Sequence, residues 1–345
     1  MSTPRERFLA ALRREPQAAP TGWMMRQAGR YLPEYQAARR GRTFVECVED
    51  PAAAAEITLQ PIRRFGMDAA VVFSDILIVP KAMGQHLAFH EGEGPELSPP
   101  LQGRADLERL SPFDPFVATA SLAATLRLVR AELGPERALV GFCGAPFTVA
   151  SYMIEGGSSR NFERTKRWMY DDPSGFSALL ERVVAASGPY LAMQVASGAD
   201  ALQLFDSWGG ALSLEQYRRF LAAPMRALIA AARQTGAPVI LYVNGGGHLL
   251  PLLADLGADC LSVDWRIDIE AARRLTHGRQ ALQGNLDPTI LFARPEIVRA
   301  ETQRTLDAFQ GHPGYIFNLG SGILPKTPVE SVAAAFETLS SRQRV

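Results

Sequence analysis

Ala201-Leu202-Gln203-Leu204-Phe205-Asp206-Ser207 is apolar almost throughout and stops at two polar residues. A strand with one wet face would alternate apolar and polar side chains. A nearly continuous apolar run fits a strand covered on both faces, as in a parallel sheet. Leu214–Gln234 follows with helical spacing, and Ser213 before it is a good N-cap. A buried strand leading into a helix is one unit of an α/β fold.

That unit recurs eight times. Strand-like runs occupy Gly22–Met25, Asp68–Phe73, Ala138–Phe142, Ala201–Phe205, Pro238–Val243, Cys260–Asp264, Ala281–Asn285 and Tyr315–Leu319. Helix-period segments lie between them, clearest at Pro51–Phe65, Phe116–Leu133, Pro173–Ser197, Leu214–Gln234, Pro295–Phe309 and Pro328–Leu339. The helices after the fifth and sixth runs are shorter. Pro51, Pro173, Pro295 and Pro328 fall where a first turn begins, and Gly66 where a helix stops. The alternation predicts a (β/α)8 TIM barrel, one α/β domain over residues 1–345. An open doubly wound sheet is the alternative. It calls for a glycine-rich phosphate loop after the first strand, and Gly245-Gly246-Gly247 follows the fifth and lacks the GxGxxG spacing. Pro80–Pro115 reads as an excursion after the second strand, with a small hairpin around Gln85–Gly92.

Composition excludes several classes. Acidic and basic residues balance at 36 each, so no basic excess points to nucleic acid or an anionic membrane. No run of 18 apolar residues predicts a membrane span. Met1–Arg14 is charged and helix-like, without the apolar centre of a signal peptide. Cys47, Cys143 and Cys260 are scattered and odd in number, which argues for a reducing cytoplasm rather than a disulfide framework.

In such barrels chemistry collects at the C-terminal ends of the strands. The residues expected there are Arg26 and Arg30, then Ser74 and Asp75, then Cys143, Gly144, Pro146, Tyr152 and Glu155. Asp206 and Ser207 come next, followed by Asn244, Trp265, Asp287, Gly320 and Ser321. Trp23-Met24-Met25-Arg26-Gln27-Ala28-Gly29-Arg30 presents two guanidiniums at a strand mouth, with Gly29 allowing close backbone approach. Planar forks bind carboxylates bidentately, so a ligand with several carboxylates suits the pair. Solvated surface arginines are the plainer reading. Asp75 interrupts the apolar run Phe73–Leu77, where a carboxylate needs a partner or a task, or caps a helix. Tyr152 reads equally as core or site. Ser207 reads as cap or site, and Gln283–Pro288 as a structural turn or a catalytic strand end. His86 and His90 are four apart, but no carboxylate completes a metal motif.

Taken together, Arg26–Tyr35 and Gly141–Gly157, with Phe73–Leu77, Leu202–Ser207, Val263–Arg266, Gln283–Pro288 and Asn318–Pro325 in order, resemble the uroporphyrinogen decarboxylase family along nearly the whole chain. The resemblance implies a barrel with a deep active-site cleft at the C-terminal ends of the strands, a homodimer, and no metal or organic cofactor. It implies removal of the four acetate carboxylates of uroporphyrinogen III, giving coproporphyrinogen III in haem biosynthesis. Arg26, Arg30 and Arg39 would hold substrate carboxylates, with backbone donors of Arg26, Gln27, Ala28, Gly29 and Arg30. Asp75 would face the pyrrole N–H groups. Tyr152 and Ser207 would touch acetate or propionate arms, and Phe142 and Phe205 would form an apolar wall. Asp75, Arg26 and Arg30 are the candidate catalytic residues, with Arg26 a candidate proton donor by position. Two departures stand out. Ser321 replaces the histidine usual in the family's Asn-Leu-Gly-His-Gly, so the contact there is neutral. Thr21-Gly22 replaces proline and an aliphatic residue at the entry to the first strand. Two rivals remain: a corrinoid-linked methyltransferase, which would need zinc ligands that His248 and Cys260 do not complete, and a non-catalytic tetrapyrrole carrier.

Overall fold

Eight parallel strands follow one another around a barrel in the computed structural model, which describes residues 2–17, 19–90, 94–309 and 312–343. The strands of the chain are β1 (Thr21–Gly22), β2 (Ala69–Val71), β3 (His86–His90), β4 (Gly94–Ser98), β5 (Ala138–Gly144), β6 (Ala201–Asp206), β7 (Val239–Val243), β8 (Cys260–Ser262), β9 (Ala281–Leu286) and β10 (Tyr315–Leu319). Their order in the large sheet is β1-β10-β9-β8-β7-β6-β5-β2. The seam between β1 and β2 is closed by a side chain. Buried Asp68 accepts the Gly22 N–H at 2.9 Å and the Thr21 hydroxyl at 3.1 Å, while its own N–H reaches Gly22 O at 3.1 Å. Arg7 and Gln343 Nε2 also contact that carboxylate, at 3.1 and 2.9 Å. The predicted TIM barrel is therefore the observed fold.

Along each strand alternate residues face the barrel axis. Ala69, Ala138, Ala201, Cys260 and Ala281 pack with Phe8, Ala11 and Leu12 of the helix Pro4–Leu12, which plugs the N-terminal end. Small residues there leave room for that plug. Above them lies a polar layer. Trp23 Nε1 donates to Gln283 Oε1 at 2.9 Å, and Gln283 Nε2 reaches Gln203 Oε1 at 3.1 Å and Ser262 Oγ at 3.0 Å. These bonds satisfy most of the polar atoms buried in this layer, though Gln203 Nε2 has no partner among the described residues. Outward residues such as Leu202, Leu204 and Leu241 meet the helices. Both faces are thus covered, which is why the runs read as continuously apolar.

Several boundaries differ from the sequence reading for local reasons. The first strand ends at Gly22 rather than Met25, because Met24 N–H turns to the Gln27 side chain and Met25 N–H to Asn318 Oδ1. The second spans Ala69–Val71 and the sixth Cys260–Ser262, each shorter than expected. Phe116–Leu133 is two helices, Pro115–Ala118 and Ala120–Leu133, broken at Thr119. Leu214–Gln234 contains a π turn at Tyr217–Leu221 between Leu214–Gln216 and Ala222–Arg233. Pro51, Pro173 and Pro295 open their helices, whereas Pro328 is the N-cap of Val329–Arg342. Gly66 is a left-handed C-cap and Ser213 forms a capping box. The excursion holds the antiparallel hairpin β3–β4, longer than expected. Residues 91–93, with Gly92, lie outside the described residues, as does the side chain of His90. Gly22 at the departing entry fits a steric limit. A Cβ there would stand 2.8 Å from Leu339 Cδ2 and 3.0 Å from Phe317 O.

Candidate active site

The turn after β1 makes an anion cradle from backbone and side chains together. Arg26 adopts a left-handed φ of 61°, a conformation a non-glycine residue rarely holds. The reversal leaves the N–H groups of Arg26, Ala28, Gly29 and Arg30 without a hydrogen-bond acceptor among the described residues. Consecutive free N–H groups in a turn form a concave site for anions. Gly29 is needed for this shape, since a Cβ there would stand 3.0 Å from Arg26 O. Gln27 lies in the same turn but faces inward. Its N–H goes to Met24 O at 2.9 Å, its Nε2 to Ala69 O at 2.9 Å, and its Oε1 accepts Met24 N–H at 3.1 Å. Gln27 thus holds the turn to β2, and its side chain does not reach the mouth. Arg26 and Arg30 are exposed and form no ion pair among the described residues. Arg39 ends the helix Pro33–Ala38 beside the Tyr35 hydroxyl, which also feels Arg30.

Asp75 stands beside this cradle, in the turn after β2. Its Oδ1 accepts Leu77 N–H at 2.8 Å, so it does cap the turn leading to Ile78–Ala82. Its other oxygen has no hydrogen bond among the described residues. Phe44, Val48, Ile78, Leu87 and Phe89 line the space next to it. Burial against them pushes its pKa up to about 6; the Leu77 N–H and the Arg26 guanidinium pull the other way. Burial likewise raises the Tyr152 hydroxyl, whose neighbours include Ser158, Asp75 and Arg26. Tyr152 stacks on Trp208 with ring centroids 4.0 Å apart.

Across the barrel the top interior layer is aromatic. Phe142 meets Phe205 edge-on at 5.4 Å, and Phe205 meets Tyr242 at 6.0 Å. The Tyr242 hydroxyl donates to Gly320 O at 3.1 Å and lies beside Ser321; burial pushes its pKa up to about 12. Arg26 passes over Gly322, where a Cβ would come within 2.4 Å of its Cδ. Gly322→Ala must therefore displace that side chain. We expect about a tenfold loss in kcat/KM with the urea midpoint unchanged, read from initial rates and denaturation curves.

Several other expected rim residues are engaged in contacts within the fold. Asp206 is fully buried, bonded to Thr148 Oγ1 at 2.7 Å and Tyr217 OH at 3.2 Å, and burial raises its pKa to about 6. Ser207 lies on the rim, its carbonyl accepting Asn244 Nδ2 at 3.3 Å. Glu155 caps the next helix through Thr165 N–H, and Asp287 caps Pro288–Phe292. Cys143 is buried, and burial raises its thiol. Tyr242 and Gly322 meet the expected residues only through barrel closure. A polar residue at a strand end carries no local signature of that meeting.

The model of the uroporphyrinogen decarboxylase family matches residues 3–342. The chain belongs to that family. The uroporphyrinogen decarboxylase of Methylococcus capsulatus is 45% identical over 336 residues, covering 96% of each chain. That of Thioalkalivibrio sulfidiphilus is 46% identical over 334 residues, covering 95% of each. Among solved structures, a methyltransferase from Methanosarcina mazei shares the fold at a TM-score of 0.80 and 22% identity, covering 99% of each chain. His248 Nε2 is engaged with Leu212 O at 2.8 Å, and Cys260 is wholly buried in the barrel floor. Among the described residues no three His, Cys, Asp or Glu side chains gather as for a metal, and no helix is long and apolar enough to cross a membrane. The rim brings Arg26, Asp75 and Tyr152 together, with Arg30 in the same turn as Arg26, Ser321 beside Tyr242 after the neighbouring strand β10, and Phe142 and Phe205 in the aromatic layer on β5 and β6.

Proposed function

We infer that the protein removes the acetate carboxylates of uroporphyrinogen III as CO2, giving coproporphyrinogen III. The observation that carries this is the family match over residues 3–342, at a rim where unpaired guanidiniums flank a half-free carboxylate. Losing CO2 from an acetate arm requires somewhere for the bonding electron pair to go. A pyrrole protonated on a ring carbon provides it. The pair from the broken C–C bond flows into the ring cation and leaves an exocyclic methylene. That methylene takes a proton to become methyl, and the ring carbon returns its own, so each cycle exchanges CO2 for one proton. The open oxygen of Asp75 accepts the pyrrole N–H groups and stabilises the cation where it forms. Arg26, Arg30, Arg39 and the N–H groups of the Arg26–Arg30 turn hold the carboxylate arms. Gln27 supports this turn from behind. Tyr152 and Ser207 contact further arms, and Phe142 and Phe205 wall the ring.

The chain acts as a homodimer in the cytoplasm; three buried, unpaired cysteines suit that reducing setting. Incubation with uroporphyrinogen, made enzymatically or by chemical reduction of uroporphyrin, followed by chromatography, tests the activity. Stepwise loss of carboxylates is expected. Tight binding without product would make the protein a carrier instead. Ser321→His adds reach and charge beside Tyr242 and is expected to leave turnover unchanged or raise it up to about threefold. A tenfold loss measured in the same assay would show a site shaped around the serine.

A further inference from the structure

The β7 and β8 rims face the Arg26–Arg30 turn from across the barrel, because β7 lies opposite β1 in the strand order. They carry a guanidinium of their own. Arg266 Nη1 bonds to Asp264 Oδ2 at 3.0 Å and lies 3.4 Å from Asn244 Oδ1. Its carbon sits 4.0 Å from the Trp265 ring centroid. Asp264 is only 1% exposed and is itself fixed by the N–H groups of Arg266, at 2.8 Å, and Gly245. The Arg266 side chain stays 54% exposed, and its Nε and Nη2 donate to nothing among the described residues. A buried acid, a ring face and an amide thus hold an arginine with one edge of its fork open.

Asn244 connects this arginine to the mouth. Its Oδ1 lies 3.4 Å from the Tyr242 hydroxyl, and its Nδ2 reaches Ser207 O at 3.3 Å. The Tyr242 hydroxyl in turn touches Gly320 and Ser321, just before the Gly322 that Arg26 crosses. A macrocycle with carboxylates around its whole edge leaves arms on the β7–β8 side out of reach of the Arg26–Arg30 turn. Ser321 offers those arms no charge.

We propose that Arg266 is a substrate-positioning residue that binds a carboxylate arm on the side of the mouth opposite Arg26 and Arg30. The proposal rests on the function inferred above. The guanidinium is pre-set by Asp264 and Trp265, so little side-chain freedom is lost on binding.

The test is KM and kcat of the unaltered protein, Arg266→Gln and Arg266→Lys with uroporphyrinogen at low and high ionic strength, alongside titration with oxidised, fluorescent uroporphyrin. Arg266→Gln is expected to raise KM about tenfold at low salt, with kcat within about twofold. The difference shrinks as salt screens the charge, and Arg266→Lys falls between because it keeps the charge but loses the fork. A wild-type KM and wild-type porphyrin affinity in Arg266→Gln would overturn the proposal while leaving the function intact. A lowered urea midpoint with equal losses for Lys and Gln and no salt dependence would also overturn it, as a structural role. Absence of product from the unaltered protein would sink the inferred function instead, and the porphyrin titration would still decide for or against Arg266.

Discussion

Asp75→Asn is expected to slow decarboxylation by about 10³ while leaving the barrel folded and, at neutral pH, more stable. The amide keeps the Oδ1 acceptor for Leu77 N–H, so the turn into Ile78–Ala82 survives. What disappears is the negative charge that faces the ring cation. The same charge is a burden on the fold. Burial lifts the carboxyl from its ordinary 3.8 to about 6, so the folded state binds its proton more tightly than the unfolded chain does. Its contribution to stability is full below pH 3.8 and is lost as pH climbs through about 6. Asp75 is only partly buried and Arg26 offsets part of the cost, so removing the charge gains on the order of 1 kcal/mol at pH 7. Urea unfolding of both proteins should show this gain at pH 7 and none near pH 4. In the unaltered protein, kcat/KM should fall on the acid side of about pH 6, where the carboxylate is protonated. Near-normal turnover by Asp75→Asn would end the charge-stabilising role.

The second large effect is at Arg26. Arg26→Gln removes the guanidinium that crosses Gly322 and lies within electrostatic range of Asp75, Tyr152 and Tyr242. One charge-assisted contact is worth on the order of 1.5–3 kcal/mol, so kcat/KM should drop by about 10 to 100-fold. Arg26→Gly separates grip from backbone shape. Glycine relieves the left-handed strain at φ 61° but loses the same contact. It should therefore match Arg26→Gln in kcat/KM and equal or exceed it in urea midpoint. A Gly variant with wild-type kcat/KM would show that the backbone turn alone holds the substrate.

The candidate site residues that could be read from the chain were those that broke a pattern. Asp75 interrupts an apolar run, and Arg26 ends one, so each asked for a reason in three dimensions. Asp206 interrupts its run just as sharply, yet Thr148 and Tyr217 absorb its carboxylate. A break in the pattern marks a burial problem without saying whether a neighbour or a ligand resolves it. The resemblance implied Gln27 as one of the backbone donors, but its N–H goes to Met24 O and its side chain to Ala69 O. The barrel was legible because both-sided burial makes its strands uniformly apolar. The Asp68 seam was not, since its partners Arg7, Gly22 and Gln343 are scattered along the chain. Asp264 and Arg266 fall in the same class: strand-end polar residues that acquire meaning only when neighbouring loops close over them, with Asn244, which was expected on the rim, as their link to the mouth.

The pairing of β1 with β10 sets a timetable. The ladder joins Thr21 to Ile316 and Gly22 to Phe317, and the Met25 N–H waits for Asn318. During synthesis the Arg26–Arg30 turn leaves the ribosome early and can meet Asp68 and Ala69 soon after, yet its other support, on β10, follows only after nearly three hundred further residues. A nascent or truncated chain ending before Tyr315 would carry both arginines on a turn braced from the β2 side alone, so its full bracing arrives only with the final strand.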